Sequence, residues 1–173
     1  MNKEILKKTE KLVYRYYYYL KNIERLKSKV LILWKQKEEI EKDICHTNIT
    51  LGEESRSIYY GEKVQISYDN TSYAEKEAIR AIEKLERELV YKKQKILKLH
   101  TRIRELEEQV EDINYNINLL EEDDRKFLRY KYGENKSIDQ ISMIFNMSRA
   151  TAYRKKDSLI CYMGELIGIK NKE

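Results

Sequence analysis

Apolar side chains recur at alternating spacings of three and four along two long stretches of this 173-residue chain. The first series runs Leu12, Tyr16, Tyr19, Ile23, Leu26, Val30, Leu33, Lys37, Ile40 and Ile44, broken by Lys37. The second runs Ala78, Ile82, Leu85, Leu89, Lys92, Ile96, Leu99, Ile103, Leu106, Val110, Ile113, Ile117 and Leu120, broken by Lys92. Such alternation keeps one narrow apolar seam on a helix, the signature of a coiled coil. At about 1.5 Å per residue, each helix should be roughly 50–70 Å long. No proline and only five glycines interrupt the chain, so helix has few breaking points and β structure is not favoured. A charged fraction of 38% suits solvated outer faces rather than a wide core.

The charges are unevenly spread, and their distribution suggests how the helices pair. Residues 1–44 carry 12 basic and 7 acidic side chains, 45–72 carry 2 and 4, 73–123 carry 10 and 13, and 124–173 carry 11 and 6. Lys3–Lys29 holds nine basic and three acidic residues, whereas Glu105–Asp124 holds nine acidic and no basic ones. An antiparallel hairpin lays these stretches side by side. It also brings Glu38–Asp43 near Lys84–Lys95, and Lys37 near Lys92, where the two lysines could share a solvated gap. The same seams could instead pair between chains. A two-helix seam is a slim core, so a dimeric four-helix arrangement is also consistent with the pattern. Tyr14–Tyr19, interrupted only by Arg15, could stack nucleic-acid bases. Tyr16 and Tyr19 fall on the seam, however, and core or interface packing is the simpler role. Trp34, beside the seam, reads as packing as well.

Between the heptad series the pattern is lost and Gly52, Gly61, Asp69 and Asn70 gather. Residues 46–72 read as a connecting loop with an extended piece over Lys63–Tyr68 and a helix cap at Asn70–Ser72. Cys45 and Cys161, like His46 and His100, are isolated from one another, which is neither a disulfide framework nor a metal-ligand spacing. No cofactor is expected. No apolar run approaches the roughly 18 residues that cross a bilayer. Met1–Lys11 lacks the apolar stretch of a secretory signal, so an intracellular protein with no membrane partner is expected. Without a glycine-rich phosphate loop or a cysteine–histidine pairing, enzyme function is not expected.

After Leu120 a compact pattern replaces the heptad. Phe127, Leu128 and Tyr130–Tyr132 predict a short amphipathic helix closed by Gly133 in a left-handed turn. Ser137 reads as an N-cap with Gln140 as its capping-box partner. Ile138, Ile141, Ile144 and Phe145 would line the inner face of the helix it starts. Asn146 and Met147 make a turn, and Ser148 caps a last helix with Ala152, Leu159, Ile160 and Met163 inward. Two helices joined by such a turn, the second basic near its start, suggest a helix-turn-helix whose second helix enters the DNA major groove. Arg149, Thr151, Tyr153, Arg154, Lys155 and Lys156 lie near the start of that helix, and Arg can grip guanine O6 and N7 with both nitrogens. Lys136, Ser137, Ser148, Tyr153, Lys155 and Lys156 are the expected phosphate contacts. A solvated basic face on an ordinary helical end is the competing explanation.

The stretch Leu120–Gly133 followed by Ser137–Arg154 resembles sigma-70 region 4, in the form found in small phage and prophage regulators of the ArpU/RinA type. About 50 C-terminal residues carry the likeness. The front of the chain is also similar to one such phage family, in which a helix, a loop with a Lys-Val-Gln-Xaa-Ser element (here Lys63–Ser67) and a long heptad helix precede the same motif. The resemblance implies an activator of late phage genes working with host RNA polymerase in the bacterial cytoplasm, with Arg149, Ala150, Thr151 and Arg154 at base-reading positions. Ala150 departs from the acidic or polar residue common at its position, which leaves base preference open. No promoter-opening region is recognisable.

The expected fold is thus all-α: a long helical hairpin of residues 1–45 and 73–120 joined by loop 46–72, then a helix-turn-helix domain over 121–173. The leading function is a sequence-specific, double-stranded-DNA-binding transcription regulator, homodimeric through its coiled-coil helices. The acidic Glu105–Asp124 stretch could face polymerase, though pairing with the basic first helix is the preferred use. A DNA-packaging protein of the terminase small-subunit kind is the alternative, although such proteins usually place the DNA-binding part first. A structural coiled-coil protein is the third possibility.

Overall fold

The computed structural model describes residues 3–46 and 73–168, and among them the chain is all-α with no strand. Helices α1 (Lys3–His46) and α2 (Tyr73–Asn118) take up the two heptad series. Helix α3 (Glu122–Leu128) runs directly into a π-helical turn (Arg129–Gly133), followed by α4 (Ile138–Ile144) and α5 (Arg149–Leu166). Of the expected loop over residues 46–72, His46 belongs to α1, and the rest, with its extended piece and its cap at Asn70–Ser72, lies outside the described residues. Two compact units divide the chain: the described residues of Met1–Ser28 with those of Thr101–Glu173, and Lys29–His100.

In the Lys29–His100 unit the seam is narrow. Val30, Leu33 and Ile40 of α1 and Ile96 of α2 are buried, whereas Ala78, Ile82, Leu85, Leu89 and Leu99 are only half-buried. Two helices alone cover one side of each such residue. The two lysines that break the heptads do not share a gap; each finds its own partners. Lys37 pairs with Glu41 at 2.9 Å, with its ammonium 4.7 Å from the Trp34 ring centroid. Lys92 donates to Gln36 at 2.9 Å and lies 3.4 Å from Glu88. Their long stems can lie along the seam while the charged ends reach its edge. Lys93 also meets Glu41, at 3.4 Å. The hydrogen bond from Lys37 and the two lysine charges hold the Glu41 carboxyl below its ordinary value, against a smaller desolvation effect. Trp34 does not pack into the seam and is 41% exposed.

The other unit is better filled. The N-terminal part of α1 and the C-terminal part of α2 run antiparallel. Tyr16 donates its hydroxyl to Asn114 at 2.7 Å, and Lys27 meets Glu107 at 2.6 Å. This last pair is a direct contact between the basic and acidic stretches. Ile103, Leu106, Val110, Ile113, Ile117 and Leu120 of the second series are all buried. Along α1, Tyr16 and Ile23 hold the expected seam, but at its start the buried positions move to Thr9 and Val13, both fully covered, while Leu12 is half-buried. The shift has a tertiary cause, because this stretch packs on the C-terminal helices as well. Phe127, Leu128, Tyr132, Ile138, Ile141, Ala152, Leu159, Ile160 and Met163 form their core, with Phe145 against Phe127 at 5.8 Å between ring centroids. Fully burying a Leu, Ile, Phe or Met side chain stabilises by about 1.5–3 kcal/mol, so these few residues supply much of the unit's stability. The described part of the sequence-defined segment, residues 121–168, is therefore packed with residues 3–28 of α1 and 101–118 of α2 in one compact unit.

Two glycines mark where α1 comes close. A Cβ on Gly133 would lie 3.1 Å from the Tyr17 ring, and one on Gly164 would lie 2.9 Å from Thr9 Oγ1. That Thr9 hydroxyl is buried and has no hydrogen-bond partner. Gly164→Ala is expected to lower stability by about 1–3 kcal/mol through overpacking, although alanine favours helix by about 1 kcal/mol. Adding Thr9→Ala makes room for the new methyl and removes the orphan hydroxyl, so the double variant should regain stability. Thermal melts of the two proteins check this. A Gly164→Ala variant as stable as the parent would contradict the close contact.

Candidate nucleic-acid interface

Local chemistry sets the α4–turn–α5 segment. The Ser137 side chain accepts from the Gln140 backbone N–H at 3.2 Å, and the Ser137 N–H donates to Gln140 Oε1 at 3.0 Å. The expected capping box is therefore complete. Asn146 adopts φ 49°, a left-handed conformation that Asn tolerates better than most residues. The Met147 N–H then reaches the Ser142 carbonyl at 3.0 Å. Ser148 caps α5 by accepting from the Thr151 N–H at 3.1 Å, and its hydroxyl also meets Thr151 Oγ1 at 2.8 Å. Four residues separate α4 from α5.

Upstream, the closure differs from expectation. Gly133 is not left-handed; that conformation falls on Asn135, with φ 55°, and the Lys136 N–H returns to the Tyr130 carbonyl at 2.9 Å. This bond spans one residue more than the six-to-one bond of a Schellman motif, in keeping with the wider π turn. The wider π turn postpones the reversal by two residues, while Gly133 is needed for the approach of Tyr17. Ile144, expected inward, is 46% exposed. It sits about 100° around the helix from Phe145, and the helix is too short for a second apolar row to find cover.

The expected base-reading residues Arg149, Ala150, Thr151 and Arg154 are all exposed, as is Tyr153. Arg149 Nε lies 2.9 Å from Asp139 Oδ1, so α4 orients this side chain. A hydrogen bond to Tyr153, then the Asp139 charge, raise its already high pKa. These two contacts still leave part of the five guanidinium N–H groups available. No ion pair to a described residue holds Arg154. Lys136 is 3.0 Å from Glu134, with its ammonium 4.1 Å from the Tyr130 ring centroid. Lys155 and Lys156 are more deeply set. Lys155 meets Asp124 at 2.7 Å, and Lys156 meets Glu10 at 3.4 Å and Asp157 at 3.3 Å. Ser137 and Ser148 are exposed caps. The structure thus brings the first turns of α5 together as an outward face and turns Lys155 and Lys156 toward neighbouring helices.

Glu10 anchors the inner side, accepting from the Tyr132 hydroxyl at 2.8 Å as well as meeting Lys156. Burial first, then the hydrogen bond to Glu10 and the charges of Glu10 and Asp157, push the Tyr132 hydroxyl well above its ordinary value. Burial also raises Tyr16. Tyr17 rises through burial and the Tyr16 charge, partly offset by Arg129.

The tyrosine cluster divides accordingly: Tyr16 is buried, Tyr17 and Tyr19 are half-buried, and Tyr14 and Tyr18 stay exposed. Sequence reasoning missed a concavity of about 450 Å³ lined by Lys7, Glu10, Lys11, Tyr14, Lys131, Tyr132 and Asn135. Its one legible signal was the Lys7/Lys11 spacing of four, which puts both on one side of α1. No protein-family model, curated protein or solved structure matches the chain.

The three tyrosines titrate from a reference value of 10.0, and folding raises each of them. The folded state therefore holds these protons more tightly than the unfolded chain. Their contribution to stability is complete below about pH 10 and is lost as pH rises further. Melting temperature should fall above that pH, and Tyr132→Phe should reduce the fall. The same change removes one hydrogen bond, at a cost of about 1 kcal/mol at neutral pH. Equal alkaline slopes in the two proteins would exclude Tyr132 as a contributor.

Proposed function

We propose that the chain binds double-stranded DNA in a sequence-specific manner through the first turns of α5 and regulates transcription. The observation that carries the reading is the outward face of Arg149, Ala150, Thr151 and Arg154 on a helix with a capped N-terminus. That helix follows a second capped helix and a left-handed Asn turn. In a helix-turn-helix the N-terminal residues of the second helix meet base edges, and Arg is the side chain best shaped to grip guanine with both nitrogens. The likeness of residues 120–154 to sigma-70 region 4 supports the same assignment. It extends the proposal to an activator of phage late genes that acts beside host RNA polymerase. The chain would associate as a homodimer through its coiled-coil helices; the half-buried seam of α2 between Ala78 and Leu89 favours further cover.

Arg154 has no ion pair to a described residue and Arg149 has Asp139, so the two arginines carry unequal expectations. Arg154→Ala should weaken binding to the cognate site by about 1–3 kcal/mol, the worth of a bidentate contact, and should relax base preference there. Arg149→Ala should act in the same direction, and the double variant should lose the discrete footprint on DNA around the protein's own gene. Footprinting at physiological salt checks this. An unchanged footprint in the double variant would remove α5 as the reading helix.

A further inference from the structure

We infer that the concavity beside the π-helical turn seats backbone phosphates of the duplex that α5 reads, so that α1 forms part of the DNA-binding surface. The inference rests on the proposed DNA-binding reading and adds a site to it. Lys7 and Lys11 stand one helical turn apart on α1, and Lys131 approaches from the π-helical turn, so three lysines line one space of about 450 Å³. None of the three has an ion pair to a described residue. Glu10 is the one carboxylate in the lining, and it is already engaged by Tyr132 at 2.8 Å and Lys156 at 3.4 Å. The lining is therefore short of negative charge, and like charges held together without a counter-charge favour a polyanionic partner.

The position fits a continuous duplex backbone. Asn135 lies on the lining, one residue before Lys136 and two before the Ser137 cap of α4. Successive Cα atoms are about 3.8 Å apart, so the concavity opens next to the start of α4, where phosphate contacts are already proposed. Tyr14, 52% exposed, adds a hydroxyl of the kind that donates to phosphate oxygens. Lysines gathered in an open hollow, rather than a closed pocket with a fixed base-recognising edge, favour a backbone over a free nucleotide.

The test replaces all three lysines in the full chain, Lys7→Gln, Lys11→Gln and Lys131→Gln, which keeps apolar stems while removing charge. Circular dichroism and a melt confirm that the variant is folded. Fluorescence anisotropy then gives the slope of log affinity against log salt for a non-cognate duplex and for the footprinted one. Each lost phosphate contact removes about 0.9 from that slope, so it should become shallower by about 2–3 on both duplexes, with the footprint in its original place. A second variant, Lys42→Gln, Lys84→Gln and Lys98→Gln, removes equal charge from the Lys29–His100 unit and should keep the parent slope. A parent-like slope in the first variant, or an equal loss in the second, overturns the inference. So does saturable binding of ATP or inorganic tripolyphosphate that the first variant abolishes while the duplex slope stays unchanged, since the hollow would then serve a small phosphorylated ligand. The reading beneath fails by a separate pattern: a footprint indifferent to the Arg149/Arg154 double variant, whatever the slopes show.

Discussion

One face of α1, between Thr9 and Tyr17, packs against two surfaces at once. Its Tyr16 hydroxyl is tied to Asn114 on α2, while Thr9 and Tyr17 face glycines of the C-terminal segment, and Glu10 receives Tyr132 and Lys156. Two lone helices leave many seam residues half-covered, as Ala78, Ile82, Leu85 and Leu89 are in the Lys29–His100 unit. The added C-terminal helices help close a core that includes Val13 and Met163, both fully buried. Packing of this density tolerates little change in volume, which is why side-chain-free positions stand opposite Thr9 and Tyr17.

That packing divides the basic residues of α5 into two kinds. Lys155 and Lys156 have side-chain exposures of only 28% and 20%, and they tie the helix to Asp124 and Glu10. Exposed ion pairs contribute little, but partly covered ones with several partners fix geometry. Arg149 and Arg154 lie outward from this anchored side. A reading helix needs side chains held to within fractions of an ångström, and rigid secondary structure with supporting contacts provides that better than a loop. In the proposed reading, the two inward lysines act indirectly, by fixing the rotation of the helix that carries the arginines.

Much of this was legible in the sequence wherever the controlling interactions are local or periodic. The heptads located α1 and α2, because burial on a helix repeats with its own period. Ser137, Gln140, Asn146 and Ser148 announced two helix starts and a turn, since caps are satisfied within three residues. What sequence could not supply were consequences of distant segments meeting. Thr9 and Val13 replaced Leu12 in the core because α5 covers them. Gly133 was read as a left-handed residue when its role is to admit Tyr17, and Asn135 made the reversal instead. Lys155 and Lys156 read as phosphate contacts from their place near the start of the last helix, and their partners in space, Asp124 and Glu10, could not be read from that place. The hollow of Lys7, Lys11 and Lys131 joins residues more than a hundred positions apart, so the Lys7/Lys11 spacing hints at one side of it and nothing local brings in Lys131.

The same comparison bears on how net charge should be used. The chain totals +5, a modest excess with little to say about partners. What matters is which cations lack a nearby anion. Along the two long helices, Lys27, Lys37 and Lys93 are matched by glutamates, while Lys42, Lys84 and Lys98 form no ion pair with a described residue. Lys7, Lys11 and Lys131 likewise form none, but they line one hollow whose single carboxylate, Glu10, is engaged by Tyr132 and Lys156. A phosphate partner releases condensed counterions when such groups approach it, whereas a lysine already paired must first give up its carboxylate. In the proposed reading, cations gathered in one hollow by packing, rather than the net composition, are what suit the surface beside the π-helical turn to a polyanion.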